Sequence, residues 1–401
     1  MITFPEKITK KLRYSLFIVV AAMMAACSSD NNSNNEPNPT PTDPVEEQLA
    51  QMSLRQKVGQ MFIIRPEALL VGMDEIHDVT ANAVTQLTDG MVTIDRDYPV
   101  GGIILYAHNI TTPSQITTFT KQLHSLPGDP LLCIDEEGGR VARIGRNKNF
   151  NVPKYASMWA IGATGNPFNA QQAGASIGSY LRLYGFDVDL APVADVNTNP
   201  ENVVIGDRAF SDDPAVAAGM VEAFLNGIHS SHVSGCLKHF PGHGDTKTDT
   251  HYGYAETKKT WQEMLNCEMI PFKSGIKAGA QFIMTAHIAT PNVTGNSDPA
   301  TMSSVILQDK LRGELGFEGI IITDAMEMGA ITSQYTNTEA TIGAIKAGVD
   351  IILGPHNYKK AFDAVVEAVK NGEISEKRID ESVRRILSVK QARTLWPRYT
   401  N

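Results

Sequence analysis

The chain has 401 residues, 42% of them hydrophobic, and a formal net charge of -9. That apolar content supports one large core or two ordinary ones. No basic block occurs beyond the first residues, which excludes a nucleic-acid partner.

Lys7, Lys10, Lys11 and Arg13 precede the apolar run YSLFIVVAAMMAA, which leads up to Cys27. The run has a signal peptide's length and is too short for a membrane span. Its MAAC ending resembles a bacterial lipobox, with Met24 where leucine is more usual. Residues 1–26 are therefore expected to be removed and Cys27 lipidated. The protein is then exported and held to a bacterial membrane, at the periplasmic face or cell surface, through this anchor only. Residues 28–46, rich in Asn, Pro and Ser, carry too little apolar surface to fold and read as a disordered tether. The folded part is expected over 47–401. Its three cysteines, Cys133, Cys236 and Cys267, are an odd number and cannot pair completely. Cys133 and Cys236 sit in apolar runs, as buried thiols do.

From about residue 50, short apolar runs recur in the order GQMFIIR, GGIILYA, LLCIDEE, DVDLAPVADV, GCLKHF, FIMTAHI, GIIITDA and GVDIILG. They are almost continuously apolar, as strands covered on both faces are. Helical segments lie between and after them. TPSQITTFTKQLHS has Pro113 at the first helical position and Ile116, Phe119 and Leu123 on one face. DPAVAAGMVEAFLNGIHSS repeats the device with Asp213, Pro214 and the stripe Val216, Met220, Phe224 and Ile228. YKKAFDAVVEAVKNG stops at Gly372, and SEKRIDESVRRILSVKQ supplies a last amphipathic helix. Eight buried strands with helical connections predict an α/β fold, a single (β/α)8 TIM-type barrel with no second α/β domain.

Polar residues stand where such a barrel uses them: Asp135, Glu136 and Glu137 at the end of one run, Lys238 and His239 at another, His287 at a third and Asp324 at a fourth. These C-terminal strand ends are expected to converge. The segment GCLKHFPGHGDTKTDTHYGY packs His239, His243, Asp245, Asp249 and His251 closely together. As a metal site it lacks His-Glu-x-x-His on a helix, and Pro241, Gly242 and Gly244 oppose a helix there. As a proton-transfer device, Asp249 would orient His251 and stabilise its charged form. Asp-x-His is also common in plain solvated turns. Asp324 ends the buried run GIIIT, where it is either a helix N-cap or a nucleophile.

Taken together, MSLRQKVGQMF, YPVGGIILYAHNI, IDEEGGRVARI, GDRAFSDDP, KHFPGHGDTKTDTH, PATMSS with LGFEGIIITDAMEM, and RIDESVRRIL resemble, in order, glycoside hydrolase family 3. They are most similar to its bacterial β-N-acetylglucosaminidase branch. The resemblance runs from about residue 47 to the C-terminus. It implies Asp324 as nucleophile, His251 as acid/base and Asp249 as its partner. It implies Asp135, Arg143, Arg208, Lys238 and His239 as residues that bind the sugar's hydroxyls, with His243 and Asp245 shaping the loop. The implied activity is exo-acting, retaining removal of terminal β-linked GlcNAc from peptidoglycan fragments or other glycans, with no metal or organic cofactor required. The histidine, in place of a second carboxylic acid, repels an anionic acceptor less and opens transfer to phosphate beside hydrolysis. Glu136 stands where glutamine is common, and His108 where arginine is often seen. A β-glucosidase of the same family, a non-catalytic glycan-binding lipoprotein and a metal-dependent hydrolase are the competing readings.

Overall fold

The computed structural model describes residues 43–70, 72, 83–247 and 255–394. Cys27, Asp249 and His251 lie outside the described residues.

Eight parallel strands follow one another around a barrel: β1 (Phe62–Ile64), β2 (Gly102–Leu105), β3 (Leu131–Ile134), β4 (Val188–Asp189), β5 (Ser234–Phe240), β6 (Phe282–Thr285), β7 (Ile320–Thr323) and β8 (Ile352–Leu353). Each pairs with the next, and β8 pairs back onto β1 through Phe62 with Ile352 and Ile63 with Leu353. Between β7 and β8 the ring is closed by the parallel bridge Ile322 with Ile351, where the Thr323 N–H donates to the Ile351 carbonyl at 3.0 Å. Closure removes both sheet edges. The eight apolar runs of the sequence therefore map one to one onto the eight strands. The fourth is shorter than DVDLAPVADV suggests, because Pro192 has no N–H for the ladder.

Helices cover the outside: α1 (Asp89–Asp97), α2 (Pro113–Leu123), α3 (Pro167–Leu183), α4 (Pro214–Ser230), α5 (Met269–Lys277), α6 (Val305–Glu314), α7 (Asn337–Ala347) and α8 (Tyr358–Lys370), one after each strand except that α8 is followed by α9 (Glu376–Thr394). Six of them, α1 to α4, α7 and α8, start at a residue whose side chain accepts a first-turn N–H. Thr112 caps α2 and Asp213 caps α4, each ahead of a proline in the first turn. Met220, Phe224 and Ile228 on α4 are buried as the stripe requires, with Val216 half-buried at its end. Two glycines let α3 and α4 touch backbone to backbone. A Cβ at Gly174 would stand 2.2 Å from the Phe224 carbonyl oxygen, and one at Gly227 would stand 2.3 Å from that of Gln171. In α6 the helix closes on a wider turn, with the Leu315 N–H reaching the Lys310 carbonyl at 2.9 Å.

A short helix, Pro44–Gln51, begins inside the stretch expected to be tether. Asp43 accepts a hydrogen bond from the Val45 N–H at 2.9 Å, and Glu46 forms an ion pair with Arg384 of α9, so Pro44, Val45 and Glu46 belong to a helix packed on the barrel.

At the N-terminal end of the barrel, α9 is fastened by Asp350. This fully buried carboxylate meets Arg312 at 2.6 Å, Arg385 at 3.0 Å, the Ser382 hydroxyl at 2.7 Å and the Ile321 N–H at 2.9 Å. Removing the charge leaves the Arg312 guanidinium, 13% exposed, without its carboxylate. Asp350→Asn should cost about 3 kcal/mol or more in a urea unfolding titration. Glu373→Gln, which breaks an exposed pair with Lys346, should cost less than about 1 kcal/mol. Equal losses would show that Asp350 is no fastening point.

Candidate active site

The C-terminal ends of the strands surround a cavity of about 220 Å³. Arg65 follows β1, Tyr106 follows β2, Asp135 follows β3, Lys238 and His239 lie within β5, Met284 within β6, Asp324 follows β7 and Leu353 lies within β8. The connection after β4 contributes Val204 and Arg208, and Glu137, Val141 and Arg143 come from the hairpin that pairs Glu136–Gly138 with Val141–Ala142.

One wall is a chain of ion pairs. The Lys238 ammonium, 2% exposed, lies 2.8 Å from Asp135 Oδ1 and 2.6 Å from Glu137 Oε1. Arg143 Nη2 reaches Asp135 Oδ2 at 3.1 Å. Arg208 grips Glu137 with a two-pronged fork, Nε to Oε2 at 2.8 Å and Nη2 to Oε1 at 2.7 Å. Burial alone would raise both carboxyls. For Asp135, Lys238 and Arg143 outweigh it and hold the group well below the usual carboxylate range. For Glu137, Arg208 and Lys238 do the same and bring it down to about 2. The cluster sets carboxylate acceptors beside ammonium and guanidinium donors, so one wall can both accept from and donate to a ligand's hydroxyl groups.

His239 is held from behind. Its Nδ1 lies 2.7 Å from Asp195 Oδ2, and Arg208 Nη2 approaches Nε2 at 3.3 Å. Arginine only donates, so Nε2 accepts and the ring proton sits on Nδ1, given to Asp195. Asp195 also accepts the backbone N–H groups of His239 at 3.2 Å and His243 at 2.6 Å, which fixes the turn after β5. His243 lines the cavity, its Nδ1 at 2.7 Å from the Thr246 hydroxyl, and burial lowers its proton affinity against the pull of Asp195. Asp245 bonds to Thr257 at 2.9 Å and approaches Lys259 at 3.5 Å, so it ties together the two sides of the segment that continues into residues 248–254. Both residues thus shape the loop's base, although His243 also faces the cavity.

Asp324 borders the cavity half-buried, its Oδ1 accepting the Ala325 N–H at 2.8 Å and its own N–H donating to the Thr285 carbonyl at 3.1 Å. The next helix, Gly329–Thr332, has Met328 at its N-cap position, so Asp324 is not the cap of a helix. Six of the residues proposed from sequence, Asp135, Arg143, Arg208, Lys238, His239 and Asp324, therefore line one cavity.

Two strand-end residues expected to converge with them do not. Glu136 points away and accepts the N–H groups of Arg143 at 2.6 Å, Ile144 at 2.9 Å and Gly145 at 2.7 Å, and the Tyr180 hydroxyl at 2.8 Å. It therefore folds the hairpin that presents Arg143. His287 lies between the Thr301 hydroxyl at 2.8 Å and the Ala325 carbonyl at 3.1 Å, and so pins the turn that carries Asp324. His108 also stays off the cavity wall, stacked on Tyr106 with ring centres 6.0 Å apart. Arg65, Tyr106, Asp195 and Glu327 were not singled out. Asp195 could have been, as a carboxylate ending the apolar run DVDLAPVADV.

Because Asp135 and Glu137 are depressed in the fold, their stabilisation is complete above the unfolded carboxylate range near pH 4. It is lost as the pH falls, for Glu137 through about 2. Lys238→Met weakens that depression, so its acid-unfolding midpoint, followed by circular dichroism, should move to higher pH than that of the wild type. An unchanged midpoint would mean that Lys238 adds nothing to the stabilisation that Arg143 and Arg208 give the two carboxylates.

The chain is similar to known proteins in sequence and in structure. A β-hexosaminidase A from Pseudoalteromonas piscicida is 34% identical over 337 residues, 77% of this chain and 56% of that protein. A β-hexosaminidase from Stenotrophomonas maltophilia (strain R551-3) is 35% identical over 276 residues, 68% of this chain and 80% of that protein. The structure of a glycoside hydrolase family 3 β-N-acetylglucosaminidase from Paenibacillus sp. strain FPU-7 superposes with a TM-score of 0.78 at 35% identity, covering 86% of this chain and 63% of that one. The chain thus spans less than two thirds of the length of the Pseudoalteromonas and Paenibacillus proteins. Residues 53–389 match the model of the glycosyl hydrolase family 3 N-terminal domain, and with an eight-stranded barrel presenting the residues above, the chain belongs to that family.

Proposed function

We propose that the protein is an exo-acting, retaining β-N-acetylglucosaminidase that removes terminal β-linked GlcNAc from peptidoglycan fragments or other glycans. The observation that carries this reading is the cavity itself, in which Asp324 shares a space of about 220 Å³ with Asp135, Arg143, Arg208, Lys238 and His239. So small a space suits one sugar ring and not a run of them, which favours action on a chain end. The names of the Pseudoalteromonas, Stenotrophomonas and Paenibacillus relatives point to the same sugar.

In this reaction the ion-paired wall binds the ring hydroxyls and sets C1 against Asp324. The Asp324 carboxylate forms a bond to C1 as the C1–O bond of the leaving group breaks, and a proton reaches the departing oxygen. Water then attacks C1, releases Asp324 and returns a proton to the acid/base group. We assign that group to His251, with Asp249 as its partner, on the motif KHFPGHGDTKTDTH. Lipidation at Cys27 and anchoring to the membrane form part of the same proposal on the strength of the MAAC ending. Mass spectrometry of the protein and of Cys27→Ala from membranes tests it, with a lipid adduct expected only on the first.

Release of nitrophenol from the β-GlcNAc and β-glucoside aryl substrates tests the reaction. The wild type should prefer GlcNAc, and the rate should survive EDTA. Asp324→Ala should lose roughly 10⁴-fold or more. His251→Ala should release a first equivalent of nitrophenol and then stall, because an activated leaving group needs little acid help. Preference for the glucoside would establish the β-glucosidase, and an inactive wild type would favour a binding protein. Sugar-1-phosphate formed only in phosphate buffer would identify phosphate as a second acceptor.

A further inference from the structure

Outside the ion-paired wall, the Asp324 side of the cavity holds a second pair of charged groups. Arg65, directly after β1, forms a salt bridge with Glu327, three residues beyond Asp324. Both line the cavity, with side chains 15% and 18% exposed. The Arg65 guanidinium lies over the Tyr106 ring at 4.3 Å, which fixes its plane. The salt bridge engages Nη2, and Nε is buried with no hydrogen-bond partner among the described residues. A buried donor left open beside a ligand cavity is a feature that bound substrate can satisfy.

We propose that Arg65 and Glu327 are specificity-determining residues that read the substituent on C2 of the sugar, accepting an acetamido group through its carbonyl oxygen and its N–H. This inference rests on the reaction proposed above. Its basis is connectivity. A nucleophile at Asp324 fixes C1 beside it; of the two ring atoms bonded to C1, O5 carries no substituent, so the group on C2 is the ring substituent nearest Asp324. Among the described residues that line the cavity, Arg65 after β1 and Glu327 after β7 are the charged groups that flank Asp324 around the barrel, while Asp135, Arg143, Arg208 and Lys238 come from β3 to β5 and the connections between them.

An amide presents one acceptor and one donor on separate atoms. A guanidinium only donates and an ionised carboxylate only accepts, so the adjacent pair complements the amide in a single orientation. A C2 hydroxyl offers one oxygen in place of the two separated atoms and leaves one partner unmet. Sites built around such hydrogen bonds discriminate strongly against ligands that lack them. Met328, on the same turn and also lining the cavity, supplies an apolar contact for the acetyl methyl group.

The experiment compares kcat/KM on the 4-nitrophenyl β-GlcNAc and β-glucoside substrates for the wild type, Arg65→Met and Glu327→Gln. The ratio of the two values should fall by roughly tenfold to a hundredfold in each variant, the loss of one charged hydrogen bond to the amide. KM for the GlcNAc substrate should rise more than that for the glucoside. A merely structural salt bridge would lower both substrates together and leave the ratio unchanged, and that result overturns the proposal. Should Arg65→Met not fold, Arg65→Lys keeps the charge but loses the planar fork, and the same ratio is read from it. A wild type without activity on GlcNAc overturns the reaction itself. A wild type that prefers GlcNAc, with variants that keep its ratio, overturns the C2 assignment alone.

Discussion

Lys238 places an ammonium group, 2% exposed, in the mouth of an apolar barrel, and much of the site follows from how that charge is compensated. An unpaired buried charge would cost several kcal/mol. Two carboxylates, Asp135 and Glu137, meet it directly. Each of them is then joined by a guanidinium, Arg143 on one and Arg208 on the other. Burial strengthens every link, since the same low dielectric that penalises a lone charge deepens the attraction between paired ones. Burial lowers the proton affinity of Lys238, but the Asp135 and Glu137 carboxylates outweigh it and hold the group above the usual lysine range, so the ammonium stays charged. The donors and acceptors are therefore in place before any ligand enters, and little reorganisation remains for binding.

Around this wall stands a layer of groups that do not face the cavity and yet decide its shape. Glu136 gathers three backbone N–H groups to fold the hairpin that carries Arg143. Asp195 sets the tautomer of His239 and the turn after it. His287 holds the carbonyl of Ala325, next to Asp324. The opposite end of the barrel spends its buried carboxylates on a different task. Asp350 ties α9 to β7, and Asp187 accepts Arg393 of α9 at 2.7 Å together with the Leu132 N–H at 3.0 Å. Stability and chemistry are thus divided between the two ends of the strands, as barrels of this kind allow.

The barrel was legible in the sequence because strands covered on both faces cannot hide among polar residues, and eight runs were each bounded by glycine, proline or a capped helix. The site was partly legible for a related reason. Asp135, Lys238, His239 and Asp324 are charged or polar residues that end apolar runs, a placement with few structural excuses. Arg143 and Arg208 came only through the family motifs, since nothing local marks them. Strand-end position did not separate Glu136 and His287 from their neighbours, because adjacent residues at a strand end need not face the same way and the sequence does not state which faces inward. Arg65 and Glu327 escaped because their significance lies in pairing across 262 residues of chain, between the ends of β1 and β7, and Tyr106 because its part is to lie under Arg65. The helix that starts at Pro44 is hidden in the sequence because Asp43, its cap, and Pro44 are composed like the polar tract before them.

The central claim is that Asp324 attacks the anomeric carbon. The most direct test is incubation with a 5-fluoro-GlcNAc fluoride, which forms the glycosyl-enzyme quickly and hydrolyses it slowly, followed by proteolysis and mass spectrometry. The account predicts one added sugar, on the peptide containing Asp324 and at that residue. An adduct on Asp135 or Glu327, or turnover with inversion of configuration and no adduct, would contradict it.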